Sequence, residues 1–113
     1  MTTKTLTLTD FLLARIAEDE DAANGVNRGL FNSRVARFPG DLYPLVIRQH
    51  PARVLADCEA KRRIVEDFEV LNEDYRVTRD PSTEARRLQA RIAMTRVAEV
   101  YANHPDYREE WRP

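Results

Sequence analysis

Two histidines, one cysteine and two arginine-rich stretches are the side chains in this 113-residue sequence with the chemistry to act on something else. His50 and His104 each precede a proline. Joined by Asp57 or Asp106, they would make a two-histidine, one-carboxylate set of the kind that holds a transition metal. Neither histidine has a second ligand at the i+3 or i+4 spacing that preassembles a site on one helix face. The sequence therefore argues for capping or turn histidines, with no metal and no cofactor. Cys58 is the only cysteine, which excludes an internal disulfide and a thiolate-rich zinc site. It falls on an apolar stripe with no basic residue beside it on that face, the setting of a small core residue and not of a reactive thiolate. Glu109 and Glu110 are adjacent, point apart on any helix, and make no acid/base pair. No phosphate-binding glycine loop, zinc-protease helix or nucleophile elbow occurs. Nothing constitutes an active site, and the expectation is a protein that is not an enzyme.

The arginine-rich stretches read in two ways. Lys61-Arg62-Arg63, with Arg53 a few turns before, could contact phosphate or nucleic acid. Yet Asp57–Lys61, Glu59–Arg63, Arg62–Glu66 and Arg63–Asp67 are all opposite charges at i,i+4, each contributing about 0.2–0.5 kcal/mol, and such a ladder describes a solvated helix face. Arg86, Arg87, Arg91 and Arg96 are less well paired, since only Glu84 and Glu99 lie near. Arg87 and Arg91 share a face, and could meet a partner or the acidic block Glu18-Asp19-Glu20-Asp21; the internal pairing is the simpler reading. The C-terminal segment 104–113 is the most distinctive. Tyr107 and the only tryptophan, Trp111, stand close to the terminus. They either dock across a helical hairpin to close the core or form a partner-binding peptide, and the value of burying large rings favours docking.

These residues need elements to hold them, and the elements are helical. Thr7 caps a helix running to about Asn24, with Asp10 completing a capping-box-like arrangement and Leu6 and Phe11 placed as a hydrophobic staple. Leu8, Leu12 and Ile16 give that helix an apolar face, and Gly25 stands where a terminating glycine would. Residues 25–40 read as a loop with a short structured insert around Leu30–Phe38, after which Asp41 caps a short helix through Ile47. His50-Pro51 starts a long helix to about Asn72, its buried stripe Val54, Leu55, Cys58, Val65, Phe68 and Leu71. Asp80-Pro81 repeats the start signal for a last helix to about Asn103, with Ala85, Leu88, Ile92, Val97, Val100 and Tyr101 as its apolar side. The short link Glu73–Arg79 makes the two long helices an antiparallel hairpin.

Bulk composition sets the frame. The chain has room for one domain, residues 1–113, and is 42% hydrophobic and 33% charged. With 18 basic and 19 acidic residues, its net charge of -1 argues against a nucleic-acid coat or a polybasic membrane binder. No apolar run approaches the roughly 20 residues of a membrane span, and the first nine residues lack a signal-peptide core. A single cysteine fits a reducing, cytoplasmic setting.

Three blocks carry a family resemblance: residues 11–20, from Phe11-Leu12-Leu13-Ala14-Arg15; residues 50–65, His50-Pro51-Ala52-Arg53-Val54-Leu55-Ala56-Asp57-Cys58 through Lys61-Arg62-Arg63; and residues 101–113, from Tyr101 through His104-Pro105-Asp106-Tyr107 to Trp111-Arg112-Pro113. Together they cover about a third of the chain. In them the sequence resembles a family of small actinobacterial and actinophage proteins known as domain of unknown function 6221. The resemblance implies that origin and a cytoplasmic setting, and brings no activity. Relatives often carry a Cys-x-x-Cys segment between the second and third blocks. This chain lacks it, so no zinc role transfers.

The sequence thus predicts an all-α fold: a small helical bundle with an N-terminal amphipathic helix, a long antiparallel helical hairpin and a folded-back aromatic tail. The leading functional expectation is a non-enzymatic protein-interaction or modulator protein, with Arg87, Arg91, Tyr107 and Trp111 as contacts to an unknown protein partner, and with a homodimer in prospect. The alternative is a DNA- or RNA-binding regulator in which the Leu42–Gln49 helix, the His50-Pro51 turn and the next helix imitate a helix-turn-helix, contacting nucleic acid through Arg53, Lys61, Arg62 and Arg63.

Overall fold

The computed structural model describes residues 6–27 and 43–113. The insert around Leu30–Phe38, the Asp41 cap and most of the 25–40 loop lie outside those residues. Four helices and no strand are found among the described residues: α1 (Leu8–Asn27), α2 (Tyr43–Gln49), α3 (Pro51–Thr78) and α4 (Pro81–Glu99), followed by turns and a 3-10 turn at Glu109–Trp111. Both α1 and α4 pack on α3, and α2 packs against α1. The all-α expectation holds.

α1 begins as its sequence dictates. The Thr7 hydroxyl accepts from the Asp10 backbone N–H at 3.0 Å, occupying a donor the helix itself cannot satisfy. Leu8, Phe11, Leu12 and Ile16 are buried on one face. The helix does not stop at Gly25. It runs through that glycine to Asn27, with Ala22, Ala23 and Gly25 buried together. A glycine inside a helix costs about 1 kcal/mol against alanine, and here packing of a small-residue surface outweighs that preference.

α3 is longer than the sequence argues. It continues past Asn72 to Thr78, about 42 Å in all, because no glycine or proline interrupts 51–78 once Pro51 has started the helix. Its last turns are held by an Arg76–Glu73 ion pair and by the Thr78 hydroxyl donating to the Asp74 carbonyl. The link to α4 shrinks to Arg79 and Asp80. Arg79 closes α3 in the left-handed conformation (φ 54°, ψ 25°), its N–H donating to the Tyr75 carbonyl. Asp80 then caps α4, accepting from both the Ser82 N–H and hydroxyl at 2.9 Å.

The apolar side expected of α4 is largely outside. Leu88, Ile92 and Val100 are about half exposed, at 45%, 50% and 58%, and Ala85 is exposed too. The helix instead turns Met94 and Ala98 into the core and delivers Tyr101, the one fully buried member of the expected set, from the turn that follows Glu99. Packing against α3 and α1 takes up Met94 and Ala98 in place of the more hydrophobic stripe. No buried residue lies between 69 and 93. The core occupies one end of the molecule, and the hairpin projects from it.

Candidate functional site

The sequence singles out the tail, and its aromatic residues turn inward. The Phe11 ring of α1 is their hub, with ring centroids at 6.3 Å to Tyr101, 5.7 Å to His104, 6.0 Å to Tyr107 and 5.1 Å to Trp111. Trp111 is only 4% exposed. The tail therefore docks, its rings against Phe11 of α1 and its 3-10 turn against α4. Arg108 and Arg112 lie over Trp111 and Tyr107, and Glu110 and Glu109 hold those two arginines. The two glutamates thus serve separate ion pairs. As placed, Trp111 offers no surface to a partner, while Tyr107 is half-buried, its hydroxyl without a hydrogen-bond partner among the described residues.

Beneath the tail lies a buried residue that the sequence reading passes over. Arg15 stands in the apolar stripe of α1, one residue before Ile16, and is buried. Its guanidinium donates to Glu18 at 2.8 Å, reaches His104 Nδ1 at 3.1 Å and Asp106 at 3.7 Å, and covers the Phe11 ring. His104 Nδ1 also accepts from the Asp106 backbone N–H at 3.0 Å. An arginine on an otherwise apolar face is the signal that would have pointed to this cluster. His104 and Asp106 do come together, but His50 stands elsewhere, beside Val46, Arg53, Val54 and Asp57. Among the described residues no group of three or more His, Cys, Asp or Glu side chains is gathered as a metal needs.

The acidic block of α1 is met from α3, not from α4. Arg62 binds Glu20 through Nε at 3.1 and 3.2 Å, and the shared hydrogen bonds hold the guanidinium still more firmly protonated. Asp19, buried, accepts from the Tyr101 hydroxyl at 3.0 Å. Lys61 donates to that same hydroxyl at 3.2 Å and pairs with Asp57 at 2.8 Å. Thus Lys61 and Arg62 are engaged by the fold. Arg63 is exposed and pairs with Glu59, and Arg53 is exposed. Lys61 also lies close enough to Cys58 to act on it, against the expectation of no basic neighbour, but burial dominates. Desolvation, with Asp19 adding to it, pushes the Cys58 thiol up to about 11.

What remains open is the hairpin. Arg87 of α4 stacks its guanidinium over the Tyr75 ring of α3 at 4.9 Å, and Arg79 covers the same ring at 5.3 Å. These residues, with Asn72 and Arg76, line a depression near the hairpin tip. Arg91 is exposed one turn further on. Val70, Val77, Leu88 and Ile92 are exposed along the same two helices. A longer groove between α3 and α4 is lined by Asp67, Val70, Leu71, Arg86, Gln89 and Ala90.

No described helix is long and apolar enough to cross a membrane. Between α2 and α3 only His50 intervenes, where a helix-turn-helix uses a turn of three or four residues. No curated protein and no solved structure matches this chain. A family model does match, over residues 5–113, all but the first four, and the chain belongs to that family, the family of unknown function DUF6221.

Proposed function

We propose that this chain is a non-enzymatic protein-interaction or modulator protein of an actinobacterium or its phage, working in the cytoplasm through the free part of the α3/α4 hairpin. One observation carries the reading: residues 69–93 form two helices without a single buried side chain, yet expose Val70, Val77, Leu88 and Ile92. Long helical stretches with exposed branched aliphatics, rimmed by charge, have the composition of a surface that another protein covers. Arg87 and Arg91 belong to this surface. Tyr107 and Trp111 act behind it, by holding α1 and the tail together. The non-enzymatic reading draws support from two groups: His104 Nδ1 is engaged by Arg15 and the Asp106 backbone, and Cys58 is buried.

The test is affinity capture with tagged full-length chain from an actinobacterial lysate, with and without nuclease. A stoichiometric protein should survive nuclease, and should be lost with the double variant Val77→Asp, Arg91→Glu while Glu59→Ala retains it. Circular dichroism must show equal helicity in all three. Recovery of nucleic acid alone, lost on nuclease or in high salt, would overturn the proposal in favour of a nucleic-acid-binding regulator.

A further inference from the structure

The groove between α3 and α4 has a charge pattern that matches itself. On its α3 rim stands Asp67, on its α4 rim Arg86, and between them lie Val70, 62% exposed, with Leu71 and Ala90 half-buried below. Neither rim charge is in an ion pair among the described residues. Arg63, the i−4 neighbour that could serve Asp67, pairs with Glu59 instead at 2.8 Å. Arg86 has no acidic residue at i±3 or i±4, where Ser82, Thr83, Gln89 and Ala90 stand. The same segregation extends along both helices. From Glu66 to Thr78, α3 carries five carboxylates against the single Arg76, and from Pro81 to Arg96, α4 carries four arginines against the single Glu84. Across the hairpin the two helices make no ion pair with each other among the described residues. The α3 charge is turned outward.

We infer that this groove is a self-association face, in which a second copy of the chain stacks groove to groove about a two-fold axis running along the hairpin. The inference rests on the reading of the hairpin as a binding surface, and names an occupant. Charge selects the symmetry. A two-fold axis along the hairpin lays α3 of one copy over α4 of the other, acidic on basic, so that Asp67 meets Arg86 twice. An axis across the hairpin would lay α3 on α3 and oppose like charges, which costs affinity. The face is accessible. Asp67 lies nine residues beyond Cys58, about two and a half turns, and so on the opposite side of α3 from the surface that Cys58 presents to Asp19 and Glu20 of α1. The apolar floor of Val70, Leu71 and Ala90 becomes the centre of a four-helix contact with the charged rims outside it. A two-helix face is small beside the roughly 800 Å² per partner of a standard interface, which places this dimer among weak, reversible ones.

Sedimentation velocity of the full chain across a concentration series tests this directly. The native chain should pass from monomer to dimer. Asp67→Arg and Arg86→Asp should each weaken association about tenfold or more, and the two together should restore it to within about threefold of the native value. Circular dichroism shows whether the variants keep their helices. A chain that stays monomeric up to about millimolar, or a dimer indifferent to both single charge reversals, overturns the inference. Failure here leaves the broader proposal standing if capture of another protein still depends on Val77 and Arg91. A charge-sensitive dimer whose chain captures nothing sinks the broader proposal alone.

Discussion

At Cys58 two influences compete: Lys61 favours the thiolate, while burial and the Asp19 carboxylate oppose it. Burial wins, and the consequence is measurable. In the unfolded chain the thiol ionises near its ordinary value of 9.0, but in the folded chain only near 11. Below pH 9 both states hold the proton and the stability is complete. Between 9 and 11 the unfolded state alone loses it, so stability falls as pH rises, by on the order of 2 kcal/mol across that window. Urea unfolding at pH 8 and pH 10.5 should show this loss in the native chain and a smaller one in Cys58→Ala, since other alkaline titrations are common to both. The burial of Cys58 was legible from its place on an apolar stripe, and its Lys61 neighbour was not. Arg15 was not, because a charged residue inside such a stripe reads as a boundary of the face. Only tertiary structure brings Glu18, His104 and Asp106 to it.

At the scale of elements, local signals were sound where the backbone itself needs them. Thr7, Pro51 and the Asp80-Pro81 pair mark three helix starts because unsatisfied N–H groups and a fixed proline φ are local problems with local answers. Helix ends were less legible. Gly25 is passed over for packing, and α3 stops at Arg79, a residue with no sequence mark of a terminator. A side chain at φ 54° costs roughly 1–2 kcal/mol that glycine avoids. Arg79→Gly and Arg79→Ala both forfeit the guanidinium over Tyr75, so their difference isolates the backbone. Thermal or urea unfolding should find the glycine variant more stable than the alanine one by about 1 kcal/mol. The face that α4 buries was misjudged because hydrophobicity alone ranks Leu88 and Ile92 above Met94 and Ala98. The choice belongs to the neighbours that α4 packs against, α3 and α1 together.

Across the whole molecule, Phe11 and Trp111 bring residues a hundred positions apart into ring contact, and the tail completes the core begun by α1. Trp111→Ala should therefore cost about 3–5 kcal/mol, read by chemical denaturation followed by far-ultraviolet circular dichroism. That the tail docks could be argued from its aromatic content. That Phe11 of α1 receives its rings could not, since no local pattern encodes which distant ring meets them. Every fully buried side chain lies outside 69–93, so the molecule is anchored at one end and bare at the other. On heating, the hairpin tip has only the Arg79 and Arg87 contacts to Tyr75 and a few exposed side-chain bonds beside its backbone hydrogen bonds, and it should unzip ahead of the rest. Melting should then be graded and not all-or-none, with the emission of Trp111, seated in the anchored end, following only the later part of it; a Trp111 transition coincident with the circular-dichroism melt would show otherwise.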